Sequence, residues 1–565
     1  MNGARSILEM LRQYHVNHVF GLIGETSFPL YYEWDSFDGV EHISGRDERN
    51  VAIMAEAYAR ASSRPGVCEV PGVGASYTLP AIVEAYTSGT PLIEMSSDIA
   101  TDSRKKNVLT EYDKTMMFSG VTRKVINVET PGDIPRMMRY GFRSATTPPS
   151  GPVFINFPLN VYGEGVMDKD LYADETFSRF PSIRQSCDNS SIAMAAKMLF
   201  EAAKPVIICG QGVLYSGAFS QLLELSEMLS IPVGTTISGK GSFPENHPLS
   251  MGVVGSRGGS EISRNIVDSA DLIFFIGTNT DSASTSWWKS PDPSKHVKII
   301  HLDSDVTQLG NNYKISLGLL GDAMAIIAKI NEILQDMAKK TTSGNEIWDS
   351  RSRWESGIIA SIRSTPYVNP VKFIKSLMKY DDKFGIITAD PGIGAIYASA
   401  FYRVQKSGRK FLFNYSAGGL GFGLPAAIGA YYAGKSTTVC LTSDGSMGFV
   451  QGELETVARY NIPLKIFLFN NRSFGWIRAT MVSDYGRVLN GTDFYDTKYR
   501  NIAQAYSMEY IHIEKDSDIE TKMREAFSDQ SPMIIEVNVL PEDKLIPPVP
   551  EWKHISDNNT RPWMG

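Results

Sequence analysis

Residues 442–476, TSDGSMGFVQGELETVARYNIPLKIFLFNNRSFGW, decide how the rest of the chain is interpreted. An apolar run that ends at Leu441 precedes this stretch, and a second apolar run inside it ends at Phe469. Both runs are typical of buried strands, and Leu454 and Val457 lie between them at helical spacing. The order of strand, turn, helix and strand predicts a βαβ unit of a parallel sheet.

The two polar ends of this unit are expected at the carboxyl edge of the sheet, where open α/β sheets bind ligands. Asp444 and Asn471 are 27 residues apart in the sequence, yet the crossover brings them side by side. Their side-chain oxygens suit Mg²⁺, which prefers oxygen ligands and usually shares its coordination with substrate phosphates. The N–H groups of Ser446 and Met447 begin the helix and are placed to bind a diphosphate.

This stretch closely resembles the cofactor signature of thiamine-diphosphate enzymes, which is Gly-Asp-Gly, a spacer of this length and Asn-Asn. The resemblance implies that Asp444, Asn471 and the carbonyl of Ser473 bind magnesium. Ser443 replaces the first glycine of the signature, at a position that shapes the turn and binds no metal. The alternative is an ordinary βαβ unit with a polar turn. The combined order and spacing of the elements argue against it.

The same resemblance extends to neighbouring segments. Residues 384–390 (FGIITAD) form a predicted strand whose end faces the diphosphate, and residues 416–425 (SAGGLGFGLP) match the family strongly. Leu420 takes the position of the bulky residue that bends the family's cofactor, with plain core packing as the alternative. The residues expected to bind the cofactor are Asp390, Gly392, Gly418, Leu420, Gly445, Ser446, Met447, Phe474 and Gly475.

Glu48 follows a short predicted strand and opens a helix that contains residues 54–60, MAEAYAR. Taken alone, a carboxylate in the first turn of a helix is favoured by the macrodipole. In the family, a glutamate at this position is the catalytic acid, which hydrogen-bonds the pyrimidine ring of the cofactor and passes it a proton. Family members commonly have His before it and Gln-Gly after it, whereas this chain has Asp47, Arg49 and Asn50.

Glu25 is a second candidate catalytic acid. It ends the segment FGLIGE, residues 20–25, just after the first predicted strand. Acetolactate synthases usually have a small residue there, whereas simple pyruvate decarboxylases have an acidic residue that helps protonate the reaction intermediate. The alternative is a solvated loop carboxylate.

Composition limits the function classes. The chain has 565 residues, enough for about three or four domains of ~150 residues. Its net charge of −7 predicts no nucleic-acid partner, which would need a basic stripe. Cys209 and Cys440 lie in apolar runs, which predicts buried free thiols and a reducing compartment. The sequence shows no signal peptide and no 18-residue apolar stretch, so we expect a cytoplasmic protein without membrane contact.

Alternating helix and strand patterns divide the chain into three α/β units. The resemblance implies the thiamine-diphosphate-binding fold, with three doubly wound parallel-sheet domains in the order pyrimidine, middle and diphosphate. The predicted boundaries are 1–170 for the pyrimidine domain, 188–337 for the Rossmann-like middle domain and 365–545 for the diphosphate domain. Residues 546–565 form a Pro- and Trp-containing tail, interpreted as a lid or a frayed terminus.

The middle domain of acetolactate synthases holds FAD. Here no clean Gly-x-Gly-x-x-Gly is present, and residues 255–258 (GSRG) and 280–282 (TDS) replace the usual flavin contacts. An empty cleft or another nucleotide is an equal alternative to FAD. We therefore expect sub-stoichiometric FAD or none.

The resemblance covers residues 1–545 and is greatest to the large subunit of acetolactate synthase. It implies thiamine diphosphate and Mg²⁺ as cofactors, a 2-oxo acid substrate such as pyruvate, and ligation to a second carbonyl. It also implies a homodimer or homotetramer whose active site combines Glu48 of one subunit with Asp444 of its partner.

Two departures from the family keep other activities open. Thr110 stands where a glutamine reaches the cofactor, and residues 392–395 (GIGA) replace Gly-Gln-His-Gln. A simple 2-oxo acid decarboxylase or an aldehyde lyase is therefore an alternative. A catalytically silent regulatory paralogue is a second one, against which the retained Glu48, Asp444 and Asn471 argue.

Overall fold

Three six-stranded parallel sheets follow one another along the chain, as the computed structural model shows. This confirms the predicted α/β fold class. The structure describes residues 1–335, 337 and 345–545. The predicted tail, residues 546–565, lies outside the described residues, and the predicted domain boundaries remain predictions.

The first sheet belongs to the N-terminal part of the chain. Its strands are β1 His18–Gly21, β2 Glu41–Ser44, β3 Gly66–Val70, β4 Leu92–Asp98, β5 Lys124–Asn127 and β6 Val153–Pro158. The helices of this part are α1 Gly3–Gln13, α2 Phe28–Trp34, α3 Glu48–Ser62, α4 Ala75–Ser88, α5 Lys114–Phe118 and α6 Ile134–Thr146. The strand order is β2-β1-β3-β4-β6-β5, so the winding reverses between β1 and β3. A ligand is expected at that reversal.

The second sheet has the strand order of a Rossmann fold. Its strands are β7 Pro205–Cys209, β8 Val233–Thr235, β9 Ser250–Val253, β10 Leu272–Ile276, β11 Lys298–Asp303 and β12 Leu317–Leu320. The helices around it are α7 Asn189–Glu201, α8 Gln211–Ser216, α9 Phe219–Leu229, α10 Glu261–Asp268 and α11 Ala323–Gln335. The order β9-β8-β7-β10-β11-β12 corresponds to 3-2-1-4-5-6.

The third sheet repeats the topology of the first. Its strands are β13 Ile387–Ala389, β14 Phe411–Phe413, β15 Thr438–Ser443, β16 Leu464–Asn470, β17 Glu509–Ile513 and β18 Met533–Asn538. The helices from α12 onward are α12 Asn345–Ser361, α13 Pro370–Leu377, α14 Ile393–Phe401, α15 Gly423–Gly434, α16 Asp444–Met447, α17 Glu453–Arg459, α18 Gly475–Tyr485, α19 Tyr499–Ala505 and α20 Ile519–Ala526. The order β14-β13-β15-β16-β18-β17 reverses between β13 and β15.

The stretch that decided the sequence interpretation forms the expected βαβ unit, from β15 through α17 to β16. One detail differs from the prediction. The polar turn after β15 is itself helical, as the single turn α16, because Asp444 and Gly445 enter helical geometry directly at the end of the strand.

The described residues form two compact units. The first contains residues 1–183, 416–438 and 448–464. The second contains residues 184–415, 439–447 and those from 465 onward. In the first unit α3 and α15 lie in close contact, since a Cβ on Gly429 would stand 2.0 Å from the carbonyl oxygen of Met54.

Cys209 and Cys440 are buried and free, as expected, and Cys68 is buried as well. Within the described ranges, no helix has the length and apolarity required to span a membrane.

Candidate active site

Asp444 is the first residue after β15, and its side chain is buried. Neither of its carboxylate oxygens has a hydrogen-bond partner among the described residues. Burial raises the pKa of Asp444 to about 7, and the nearby backbone N–H groups of Gly445 and Asn471 lower it only in part. An unpartnered buried carboxylate costs at least about 1–3 kcal/mol. A cation at this position would remove that cost.

Asn471 is the first residue after β16, the neighbour of β15 in the sheet. Its side-chain oxygen accepts hydrogen bonds from the backbone N–H of Ser473 at 3.0 Å and from the Ser473 hydroxyl at 3.2 Å. Its side-chain nitrogen donates to Glu542. The amide oxygen therefore lies on the Ser473 side of the Asn471 side chain.

An isolated antiparallel bridge between Ser473 and Asp493 shapes the loop after β16. The residues on either side of Ser473 make the two hydrogen bonds of this bridge. Phe474 N–H donates to the carbonyl of Thr492 at 2.9 Å, and Phe494 N–H donates to the carbonyl of Arg472 at 2.8 Å. The carbonyl of Ser473 takes no part in the bridge. One carboxylate, one amide and one carbonyl thus supply oxygen donors only, which fits Mg²⁺.

The described residues contain no group of three or more His, Cys, Asp or Glu side chains that is arranged to hold a metal. A zinc-type centre of such residues is therefore absent from these ranges.

The proposed diphosphate side of the site lies at the reversal between β13 and β15. The Thr442 hydroxyl donates to the Asp390 carboxylate at 2.7 Å, which joins the ends of the two strands. Gly392 has φ +120°, a conformation that favours glycine. Gly445 packs closely on the loop after β16, because a Cβ there would stand 3.0 Å from the Phe474 ring. Ser446 and Met447 are buried in the same turn.

Gly418 and Leu420 lie in the first compact unit, on the loop before α15. Gly418 is exposed with φ +76°, and a Cβ there would meet no atom within 4 Å. Gly421, with φ +84°, packs tightly on Phe449. Leu420 between them is half-buried, and its role beneath the cofactor remains a prediction with core packing as the alternative.

Glu48 is the first residue of α3, and the side chain of Asp47 caps the helix by accepting from Arg49 N–H. A Cβ on Gly74 would stand 2.7 Å from the Cγ and Oε1 atoms of Glu48, so the carboxyl lies directly on the loop after β3. Burial raises the pKa of Glu48, and the charge of Asp47 raises it further. Within the described ranges no side chain donates a hydrogen bond to the Glu48 carboxyl.

Glu453, on α17, holds the start of α3 in place. Its Oε1 accepts from the Asn50 amide and from Arg46 N–H, both at 3.0 Å, and its Oε2 accepts from the Thr456 hydroxyl at 2.7 Å. Sequence analysis did not identify this residue, because about 400 residues separate it from its partners.

Glu25 is exposed and begins a single 3₁₀ turn, Glu25–Ser27. Beside it, the Thr26 hydroxyl accepts from Gly72 N–H at 3.2 Å, and the Thr110 hydroxyl stands 3.7 Å from the position of a Cβ on Gly72. The loop after β3 therefore has Thr110 near its start and Glu48 near its end. Glu25 lies on the adjacent loop after β1, at the reversal of the first sheet.

Comparison with known proteins identifies the family of the chain. Residues 1–117 match the family "Thiamine pyrophosphate enzyme, N-terminal TPP binding domain". Residues 192–330 match the "central domain" of the same enzymes, and residues 390–537 match their "C-terminal TPP binding domain". The chain belongs to the thiamine pyrophosphate enzyme family.

Three proteins to which this chain is similar are named acetolactate synthases. A probable acetolactate synthase large subunit of Methanocaldococcus jannaschii is 31% identical, over 97% of this chain and 94% of its own length. A probable acetolactate synthase large subunit of Methanococcus aeolicus is 30% identical, over 99% and 95%. The acetolactate synthase isozyme 3 large subunit of Escherichia coli is 26% identical, over 93% and 92%.

Two further residues of this thiamine pyrophosphate enzyme lie at the edge of the third sheet, although sequence analysis missed them. The guanidinium carbon of Arg257 lies 4.7 Å from the ring centroid of Trp476, and Arg257 has no acidic partner in the described ranges. Tyr415 accepts from Gly392 N–H at 3.4 Å. Burial raises the pKa of Tyr415, and the charge of Arg257 lowers it in part.

The middle domain of this family member has closely packed glycines at the reversal between β7 and β10. A Cβ on Gly210 would stand 2.1 Å from the Gly277 carbonyl oxygen, and one on Gly239 would stand 2.4 Å from the Cys209 carbonyl oxygen. The ends of these strands therefore approach one another closely at the point at which a doubly wound sheet binds a nucleotide. The expected low flavin content remains a prediction.

Proposed function

We propose that this chain is an acetolactate-synthase-like enzyme, which decarboxylates pyruvate or a similar 2-oxo acid and joins the product to a second carbonyl compound. The observation that carries the proposal is the buried, unpartnered Asp444 carboxylate at the edge of the third sheet. It belongs to a chain that is similar to acetolactate synthase large subunits over nearly its whole length.

In this proposal Asp444, Asn471 and Ser473 would hold Mg²⁺ through oxygen atoms, beside the diphosphate of the cofactor. Thiamine diphosphate, when bound, would supply a nucleophilic ring carbon and an acceptor for the electrons of decarboxylation. Leu420 would support the cofactor. Glu48 holds and moves a proton at its carboxyl group, which burial prepares for that task by raising its pKa.

We also propose a homodimer or homotetramer in the cytoplasm, with Glu48 and Asp444 of each active site contributed by different subunits. The family resemblance supports the shared site. The buried free thiols Cys68, Cys209 and Cys440 support a reducing compartment.

Incubation of the purified protein with pyruvate, thiamine diphosphate and Mg²⁺ tests the activity. Acetolactate as the main product supports the proposal. Acetaldehyde alone would establish the simple decarboxylase that Thr110 and residues 392–395 leave open. Cofactor binding without turnover of any 2-oxo acid would establish a silent paralogue.

Arg257 supports an anionic substrate, because a half-buried guanidinium without an acidic partner is suited to bind a carboxylate. We expect Arg257→Gln to raise the KM for pyruvate by about 10–100-fold, since a charge-assisted hydrogen bond contributes about 1.5–3 kcal/mol. Steady-state kinetics measures this effect. Thiamine diphosphate affinity should stay at the parental value.

Arg264→Gln is the matched control for this substitution. Arg264 lies on α10 and pairs with Asp268 at 3.5 Å, so its loss should not change the KM. A parental KM in Arg257→Gln would contradict the assignment.

Glu25 is proposed as a second acid. We expect Glu25→Gln to bind thiamine diphosphate as the parent does, and to slow product formation by about 10²-fold, the scale of acid–base assistance. Calorimetry measures the first property and product analysis the second. Parental turnover would show that this exposed carboxylate is only a solvated loop residue.

A further inference from the structure

Glu542 lies four residues after β18, on a segment that sequence analysis did not connect with the site. Its side chain is 2% exposed. Its Oε2 accepts a hydrogen bond of 3.2 Å from the side-chain nitrogen of Asn471. This residue therefore touches one of the proposed magnesium ligands from the side opposite Ser473.

Neighbouring groups on α18 confine the contact between Glu542 and Asn471. A Cβ on Gly475 would stand 1.8 Å from Oε2 of Glu542 and 2.5 Å from the side-chain nitrogen of Asn471. A side chain at the start of α18 would therefore displace Glu542 or Asn471. The next residue of the segment, Asp543, pairs with Arg478 of α18 at 3.1 Å. This half-buried ion pair attaches the segment to the helix.

We infer that Glu542 is a positioning residue that sets the orientation of the Asn471 amide toward the metal. The inference rests on the proposed function. The Oε2 atom of Glu542 accepts from the side-chain nitrogen of Asn471, and an oxygen that accepts in this way binds the nitrogen of an amide and not its oxygen. With its nitrogen bound to Glu542, Asn471 presents its oxygen on the other side, where Ser473 lies. Groups that orient a metal ligand in this way help to set the affinity of the site for the metal.

Glu542→Gln tests this role while preserving the size of the side chain. Because a glutamine amide both donates and accepts, it binds either orientation of Asn471. Mn²⁺ replaces Mg²⁺ as the probe, in the presence of thiamine diphosphate, and the free Mn²⁺ signal in electron paramagnetic resonance gives the affinity. We expect Mn²⁺ to bind the full-length variant about 10–100-fold more weakly than the parent.

Glu536→Gln is a matched control. Glu536, on β18, accepts from the side-chain nitrogen of Asn470 at 2.7 Å, so the same type of pair exists one residue away from Asn471. We expect Glu536→Gln to bind Mn²⁺ as the parent does. Equal losses in both variants would show a general effect on the end of β16 and overturn the inference.

Parental Mn²⁺ affinity in Glu542→Gln would also overturn it. Asp444→Ala separates this failure from a failure of the proposed function. If Asp444→Ala also keeps parental affinity, the metal site itself is wrong. If only Asp444→Ala loses Mn²⁺ binding, the proposed metal site is supported and the proposed role of Glu542 is wrong. Should Glu542→Gln fail to fold, Glu542→Asp, with a shorter reach, is expected to show the same weakening, and parental affinity there overturns the inference.

Discussion

Glu48→Gln should lower turnover by about 10²-fold or more while leaving thiamine diphosphate affinity nearly unchanged. Glutamine keeps the shape and hydrogen bonding of the side chain but cannot give up and regain a proton. The carboxyl of Glu48 lies on the Gly74 loop, and its pKa is raised by burial, so it is prepared to hold a proton. Exchange of the thiazolium proton into heavy water, read by NMR after acid quench, isolates this step from substrate binding.

If Glu48→Gln exchanges that proton as fast as the parent, the role of Glu48 is wrong, and the adjacent Asp47 becomes the next candidate. Asp47→Asn is the matched control, since it changes a neighbouring carboxylate that caps α3. We expect its exchange rate to stay within about tenfold of the parent, because its capping role contributes only about 1 kcal/mol to the helix.

Asp444→Ala and Asn471→Ala should each abolish retention of thiamine diphosphate. Both residues supply oxygen to the proposed magnesium, and changes one shell further out already cost about 10–100-fold in metal affinity. Calorimetric titration with thiamine diphosphate and Mg²⁺ measures the loss. Undiminished binding in both variants would rule out the site.

Two controls separate lost binding from lost folding. Asn470→Ala removes the adjacent amide, which faces Glu536, and should keep the cofactor. The metal-free Asp444→Ala protein should melt no lower than the metal-free parent, because its parental carboxylate is buried without a partner among the described residues.

The same variants test whether the site is shared between subunits. In a mixture of Glu48→Gln and Asp444→Ala chains, a mixed dimer has one site with both native residues. Random exchange makes half of the dimers mixed, so about a quarter of parental activity should return. Absence of any recovery, with exchange shown by mass spectrometry, would place both residues in one chain.

The spacing of apolar residues within short stretches of the sequence explains how much of the fold was predictable. The apolar runs before Asp444 and Asn471 specified β15 and β16, because a buried parallel strand needs a continuous apolar segment. Helical spacing after Glu48 specified α3. The candidate ligands Asp444 and Asn471 followed from the same patterns, since they stand directly where strands end, whereas Ser473 was implied by the family resemblance. The short helix α16 was missed, as a single turn has no period to detect.

The sequence by itself determined the strands, the helices and the residues at their ends, because backbone preference and apolar periodicity act over a few positions. Only the tertiary structure decided that Glu453 holds the start of α3, that Arg257 lies on Trp476, and that Glu542 contacts Asn471. These contacts join residues that are 71 to 407 positions apart. No local rule specifies such a pair. The contact of Glu542 with Asn471 follows from the order of the strands in the third sheet, because neighbouring β16 and β18 end side by side at the carboxyl edge, whereas the other two contacts join segments of different sheets.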